Sequence, residues 1–161
     1  MCGIAGLIHR GKSSNVGEEL QHMLQALKHR GPDSTGYALY ANNDGQNFIL
    51  RFKVGENVGE GSTSVNEDES VYNERKKIVD KKLSELGALV IKEEKLTPYS
   101  YRYEIKFDKD LMEFSKAIES IQSVEILSIG KSLELIKDLG DATVVSERYG
   151  LNKVQGTHGI G

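Results

Sequence analysis

The chain opens on residues 1–9, MCGIAGLIH, in which residues 3–9 form a short apolar run that also contains small residues. This run predicts a buried strand that starts at the terminus and carries Cys2 at its tip. A helix is predicted next, because Asn15 as N-cap and Glu18 have the capping-box spacing. The dipeptide Gly31-Pro32 is predicted to stop this helix. Its apolar positions share one face: Val16, Leu20, Met23, Leu24 and Leu27.

Two further strands are predicted before the composition changes. Residues 37–41 have the pattern of a strand and residues 42–45 that of a turn, and apolar residues alternate over residues 48–54. This pattern predicts a hairpin, but it leaves open whether the second strand belongs to this module or to the next. Residues 55–70 contain mainly Gly, Ser, Asn and acids, so they predict a flexible connector and a domain boundary.

Helices and strands alternate beyond the connector. The predicted elements are a helix over residues 73–86, a strand over 88–91, a strand with Tyr99, Tyr101, Tyr103, Ile105 and Phe107 on one face, a helix capped by Asp108, a strand over 124–129 and a helix over 131–139. With one preceding strand, the elements up to residue 129 have the βαββαβ order of a ferredoxin-like unit.

Composition excludes several classes of protein. The formal charge is −3, with basic residues scattered among acids, so nucleic acid is not expected as a partner. No apolar run approaches the length of a membrane helix, and residues 1–6 do not resemble a secretory signal, so a cytoplasmic location without membrane contact is expected. The single cysteine excludes an intramolecular disulfide, and no metal site is expected because zinc-ligand spacings are absent.

Cys2 has a position that suits nucleophilic chemistry. A cysteine thiol attacks as the thiolate, so a nearby base helps. A terminal amine can be that base, because its pKa of about 7.7 to 8.0 lies close to neutral pH. This mechanism requires the loss of Met1, which a small second residue such as Cys permits. The structural alternative is that Cys2 is a small buried apolar residue at the start of a strand.

Two motifs carry a resemblance to a known family. Residues 1–6, Met-Cys-Gly-Ile-Ala-Gly, and residues 29–36, His-Arg-Gly-Pro-Asp-Ser-Thr-Gly, resemble the corresponding segments of class II glutamine amidotransferases, which are N-terminal-nucleophile (Ntn) hydrolases. The resemblance implies that Cys2 attacks glutamine and that Arg30, Gly31, Asp33 and Ser34 support the substrate site. The second motif also has a structural interpretation, because Gly31-Pro32 can end a helix and Arg30 can pair locally with Asp33.

The resemblance also implies a fold and a domain organisation. We expect an α+β protein with a partial Ntn-type αββα sandwich over residues 1–55, a ferredoxin-like insertion over 56–145 and a return to the first domain over 146–161. The family's third motif, His-Thr-Arg, would follow the final residues 156–161, GTHGIG. Without that motif and the family's oxyanion donors, the 161-residue chain is expected to be nearly inactive, since one lost donor costs about 10²- to 10³-fold in rate.

The insertion and the opening residues 9–12, His-Arg-Gly-Lys, look most like the glutaminase subunit of archaeal-type glutamate synthases and N-methylglutamate synthases. This likeness implies that glutamine is the substrate and that a synthase subunit or domain receives the ammonia. It implies no cofactor in this domain, with a flavin only in the partner. Two alternatives stay open: a non-catalytic regulatory or binding module, and asparagine synthetase-like amide transfer.

Overall fold

The computed structural model describes residues 2–30, 33–42, 45–55 and 68–161. The chain forms two compact units, one from residues 1–44 and 130–161 and one from residues 45–129. Together the described residues contain two antiparallel four-stranded sheets and four α-helices, which confirms the predicted α+β class. Across the described ranges, no helix is both long enough and apolar enough to cross a membrane.

The first unit is a sheet with helices against one face. Its strands hydrogen-bond in the order β1-β8-β2-β7, with antiparallel pairing throughout. Gly159 faces α1, because a Cβ there would lie 3.3 Å from Cδ2 of Leu20. The elements are β1 (Gly6–Ile8), α1 (Val16–Ala26), β2 (Ser34–Ala41), β7 (Leu133–Leu139), α4 (Ala142–Tyr149) and β8 (Gly156–Ile160).

Helix α1 begins as its sequence predicts. The Asn15 side chain accepts a hydrogen bond from the backbone N–H of Glu18 at 3.3 Å, and Val16, Leu20 and Leu24 are buried. The helix ends at Ala26, and a 3-10 turn over Lys28–Arg30 follows. The predicted stop residues, Gly31 and Pro32, lie outside the described residues.

The first strand is shorter and more exposed than predicted. It covers Gly6–Ile8 rather than residues 3–9, and 76% of the Ile8 side chain is accessible. The prediction of a buried strand was wrong, because β1 lies at the edge of the sheet and, among the described residues, pairs with β8 alone. Ile8 lies opposite His158 and points away from α1, whereas Leu7 lies opposite Gly159.

The second unit has the element order strand, helix, strand, strand, helix, strand. Its sheet order is β4-β5-β3-β6, so β3 and β5 form the centre. The sequence did not decide to which module the strand over residues 48–54 belongs. In the structure it pairs within this unit. The elements are β3 (Phe48–Lys53), α2 (Glu69–Leu86), β4 (Leu89–Thr97), β5 (Ser100–Lys106), α3 (Leu111–Glu119) and β6 (Glu125–Gly130).

Aromatic residues of β5 fill the core of the second unit, as their alternation predicts. Tyr101 and Tyr103 are almost fully buried, and both rings contact Phe52, at centroid distances of 5.4 and 5.1 Å. Helix α3 is capped by Asp110, whose Oδ1 accepts from the N–H groups of its first turn at 2.7 and 2.9 Å. The prediction of Asp108 as the cap was wrong, because the helix starts later.

The two buried tyrosines give a matched pair for mutation. Within the described residues, the Tyr101 hydroxyl is buried without a hydrogen-bond partner, whereas the Tyr103 hydroxyl donates to Oδ1 of Asp80 at 2.8 Å. We expect Tyr101→Phe to leave the free energy of unfolding unchanged or raise it, and Tyr103→Phe to lower it by about 1.5 to 3 kcal/mol, the usual cost of losing a hydrogen bond to a charged group. Urea denaturation of both variants measures the difference.

The predicted hairpin between residues 37–41 and 48–54 is wrong. Strand β2 pairs with β7 and β8, whereas β3 pairs with β5 in the other unit. Alternation identified both strands correctly but carries no information about partners. Part of the predicted turn, Asn43 and Asp44, and most of the predicted connector, residues 56–67, lie outside the described residues.

The predicted helix over residues 131–139 is also wrong. Leu133–Leu139 is strand β7, aligned with β2 from Ser34 opposite Leu139 to Tyr40 opposite Leu133. Its apolar residues fit either period, since 133, 136 and 139 have helical spacing. Residues 133–139 form a strand because they pair with β2 along its length. Strand β3 thus belongs to the second unit and β7 to the first.

Candidate functional site

Cys2 lies just beyond the paired end of the first sheet. The N–H of Ala5 donates to the carbonyl of Gly161 at 2.9 Å and the reverse bond is equally long, so the β1–β8 ladder extends to this pair. Cys2 is three residues further on, and its thiol is free and exposed. The structure therefore does not bury Cys2 as a small apolar residue.

Gly3 brings the start of the chain against the second motif. A Cβ at Gly3 would lie 3.1 Å from Cβ of Leu27 and 3.6 Å from Cβ of Arg30. Arg30 is the last residue of the 3-10 turn after α1, and its side chain is exposed. The backbone next to the thiol thus packs directly against the segment that carries Arg30.

The remaining predicted site residues lie at the start of β2. Ser34 is the first residue of β2 and lies opposite Leu139, and the carbonyl of Asp33 accepts from the N–H of Gly140 at 3.0 Å. The side chains of Asp33 and Ser34 are exposed. Gly31, the other predicted site residue, lies outside the described residues.

A small pocket of about 70 Å³ joins these segments. It is lined by residues from the start of the chain, from the start of β2 and from the end of β8. Its charged lining residues are Lys28 and Asp141. The lining residues are Gly3, Leu24, Leu27, Lys28, Ser34, Thr35, Gly36, Asp141, Ala142 and Gly161. The pocket wall therefore includes Gly3, the residue after Cys2, and three residues of the second motif, Ser34, Thr35 and Gly36.

Lys28 and Asp141 form an ion pair at this pocket. Nζ of Lys28 lies 2.9 Å from Oδ2 of Asp141, whose side chain is 17% exposed. Oδ1 of Asp141 accepts from the N–H of Val144 at 3.1 Å and so caps α4. The hydrogen bond from Lys28, followed by that from Val144, holds the pKa of Asp141 below its usual range.

Sequence reasoning missed both members of this ion pair. Asp141 is a recognisable N-cap, because it directly precedes helix α4. It was not identified from the sequence, because a helix was predicted over residues 131–139 and none after Asp141. Nothing in the sequence links Asp141 to Lys28, because the pairing of β7 with β2 and the packing of α1 against α4 bring them together from distant parts of the chain.

The lowered pKa predicts how acid acts on this pair. A carboxyl whose folded pKa is lowered stabilises the fold above the unfolded pKa of about 3.9 and loses that contribution as the pH falls through the folded value. We expect Asp141→Asn to lower the melting temperature only slightly near pH 7, because the Lys28 side of the ion pair is 53% exposed, and by an amount that shrinks below about pH 4. Thermal unfolding of both proteins between pH 3 and 7 measures this. An unchanged difference across that range would contradict the assignment.

No metal site is evident in the described ranges. Among the residues they contain, no three His, Cys, Asp or Glu side chains lie close enough together to hold a metal ion.

Comparison with known proteins adds an independent finding. Residues 1–50 match the family model described as a glutamine amidotransferase domain. The whole chain is 31% identical over 166 aligned positions to a protein of Methanothermobacter thermautotrophicus that carries the provisional name glutamine amidotransferase. A 40-residue stretch is 50% identical to a Methanocaldococcus jannaschii protein provisionally named asparagine synthetase (glutamine-hydrolysing) 2, and it covers 25% of this chain.

The chain spans 50% of the length of the first relative, and the 40-residue match covers 8% of the second. The family match covers the segment in which the structure brings Gly3 against Arg30. By sequence, the N-terminal 50 residues of this chain thus match a glutamine amidotransferase domain.

Proposed function

We propose that this chain is the N-terminal part of a class II glutamine amidotransferase whose nucleophile is Cys2 after removal of Met1. One observation supports the proposal: Cys2 is exposed, and the next residue, Gly3, packs against Arg30 inside the segment that matches the domain family. An exposed nucleophile beside a polar loop is the arrangement from which active sites are built.

The proposed reaction is acyl transfer in two steps. The Cys2 thiolate attacks the side-chain amide carbon of glutamine, and the carbon–nitrogen bond breaks as ammonia leaves with a proton from the terminal ammonium. Water then attacks the thioester carbon, the carbon–sulfur bond breaks, and glutamate leaves. Arg30, Asp33 and Ser34, with Gly31 by resemblance, are proposed to support the substrate site.

The first sheet supports the proposed αββα sandwich. Helices α1 and α4 belong to one face, and the opposite face carries apolar side chains that are 36 to 76% exposed. Exposed apolar surface of this kind favours contact with another layer, which in this fold is a second sheet. The side chains are Ile8, Leu135, Leu139 and Ile160.

The second unit is proposed to be a ferredoxin-like insertion. Its βαββαβ order and its sheet order β4-β5-β3-β6 support this assignment, because the last strand lies beside the first and the hairpin strands follow on the other side. We propose, from the resemblance alone, that the ammonia passes to a glutamate-synthase-type partner.

The test is release of glutamate and ammonia from glutamine by the full-length product of the gene. We expect turnover with glutamine and none with asparagine. Absence of glutamine turnover, with a folded protein, would contradict the proposal and favour a non-catalytic binding module.

Asparagine synthetase-like amide transfer is a second candidate. The 40-residue match that is 50% identical to the Methanocaldococcus jannaschii protein favours it. Adding aspartate and ATP to the same assay distinguishes the two candidates, because only a synthetase would form asparagine.

A further inference from the structure

Three polar contacts attach the second motif, and Lys28 just before it, to a turn that lies far away in sequence. The turn joins β7 to α4 and consists of Gly140 and Asp141. Gly140 donates its N–H to the carbonyl of Asp33 at 3.0 Å, and its own carbonyl accepts from Oγ1 of Thr35 at 2.8 Å. Lys28 reaches Asp141 at 2.9 Å. The contacts involve Lys28 on one side of Arg30 and Asp33 and Thr35 on the other, so they fix the described residues on both sides of it.

The β7–α4 turn is itself held firmly. Asp141 caps α4 through Val144, and the buried Tyr37 hydroxyl donates to the carbonyl of Ala142 at 2.7 Å. Gly140 has a φ of 119°, in the region that favours glycine, and a Cβ there would lie 3.0 Å from Cγ1 of Val144. A turn fixed by these groups can serve as a rigid support for a neighbouring loop.

Gly3 connects the start of the chain to the residues that the β7–α4 turn holds. Because Gly3 packs against Leu27 and Arg30, a shift of the 3-10 turn that starts at Lys28 would move the surface next to Cys2. Lys28 is 53% exposed, so its ion pair contributes little to global stability. We therefore expect the ion pair to act mainly on the position of the 3-10 turn that contains Arg30.

We propose that Asp141, through its ion pair with Lys28, is a positioning residue that fixes the Arg30 segment against the backbone beside Cys2. This inference rests on the proposed glutaminase function. Neither Asp141 nor Lys28 is assigned contact with the reacting atoms.

Two variants and a conservative replacement test the inference in the full-length protein. Lys28→Met removes the ammonium at similar side-chain length, and Asp141→Asn removes the charge while keeping an oxygen for the α4 cap. A displacement of about 1 Å near reacting groups can cost about 10²-fold in rate, so we expect kcat for glutamine to fall roughly tenfold in both variants, with KM changed less. Lys28→Arg should restore kcat. Lys12→Met, at an exposed lysine of the same unit, should have no effect.

Amide hydrogen exchange gives a readout that needs no activity. Exchange of residues 33–36 and of Gly140 should accelerate about fivefold or more in Asp141→Asn, while exchange in β3 and β5 stays at the wild-type rate. Unchanged exchange at these amides would overturn the inference, and so would wild-type kcat in both variants. Equal losses in Lys28→Arg and Lys28→Met would also contradict it.

The proposed function can fail separately. If the wild-type protein releases no ammonia from glutamine, the catalytic assignment of Cys2 is wrong. The exchange experiment then still decides whether Asp141 holds the segment.

Discussion

Cys2→Ala is expected to abolish glutamine hydrolysis by the full-length protein. Loss of a nucleophile that works with its own base costs on the order of 10⁴-fold or more in kcat. Since the Cys2 side chain is exposed, the substitution should leave the melting temperature within about 1 °C. Initial rates of ammonia release, measured beside thermal unfolding, separate the chemical effect from a folding effect.

Cys2→Ser is the matched control. It keeps the size of the side chain and the terminal amine but replaces the thiol with a hydroxyl, which is a poorer nucleophile near neutral pH. We expect a loss similar to that of Cys2→Ala. Activity of Cys2→Ala within about tenfold of wild type would show that another group attacks glutamine.

Gly17→Ala is expected to destabilise the first unit strongly, although alanine favours helices by about 1 kcal/mol relative to glycine. Gly17 lies in α1, and a Cβ there would be only 1.7 Å from the carbonyl oxygen of Leu151. Such a contact requires the helix or the Leu151 backbone to move, and overpacking of this kind costs about 1 to 3 kcal/mol or more. Chemical denaturation should show the first unit unfolding at lower denaturant.

Gly36→Ala provides the control for that experiment. A Cβ at Gly36 meets only the carbonyl oxygen of Ile136, at 3.7 Å, which is ordinary contact. We expect it to change the free energy of unfolding by much less than Gly17→Ala. Equal effects of the two substitutions would contradict the assignment of close packing at Gly17.

The sequence identified most elements of the second unit because their patterns are unambiguous. Tyr101, Tyr103 and Ile105 alternate over a buried strand face, and the structure buries all three. At β7 the pattern is ambiguous, since Ile136 fits both a helical and a strand period, and the long-range pairing with β2 decided the outcome. Long-range pairing also explains the error in the hairpin.

The sequence indicated only those candidate site residues that belong to short motifs. Cys2 belongs to the motif over residues 1–6, and Arg30 belongs to the motif over residues 29–36. Asp141 has no such signal, because its contact with Lys28 depends on the register that aligns Ser34 with Leu139.

Mass spectrometry of the mature full-length protein after reaction with a glutamine-like electrophile tests the central assignment most directly. The proposal predicts that the N-terminal peptide begins at Cys2, carries one adduct on its sulfur, and is protected by excess glutamine. Retention of Met1, or labelling of Cys2 at the same rate with and without glutamine, would contradict it.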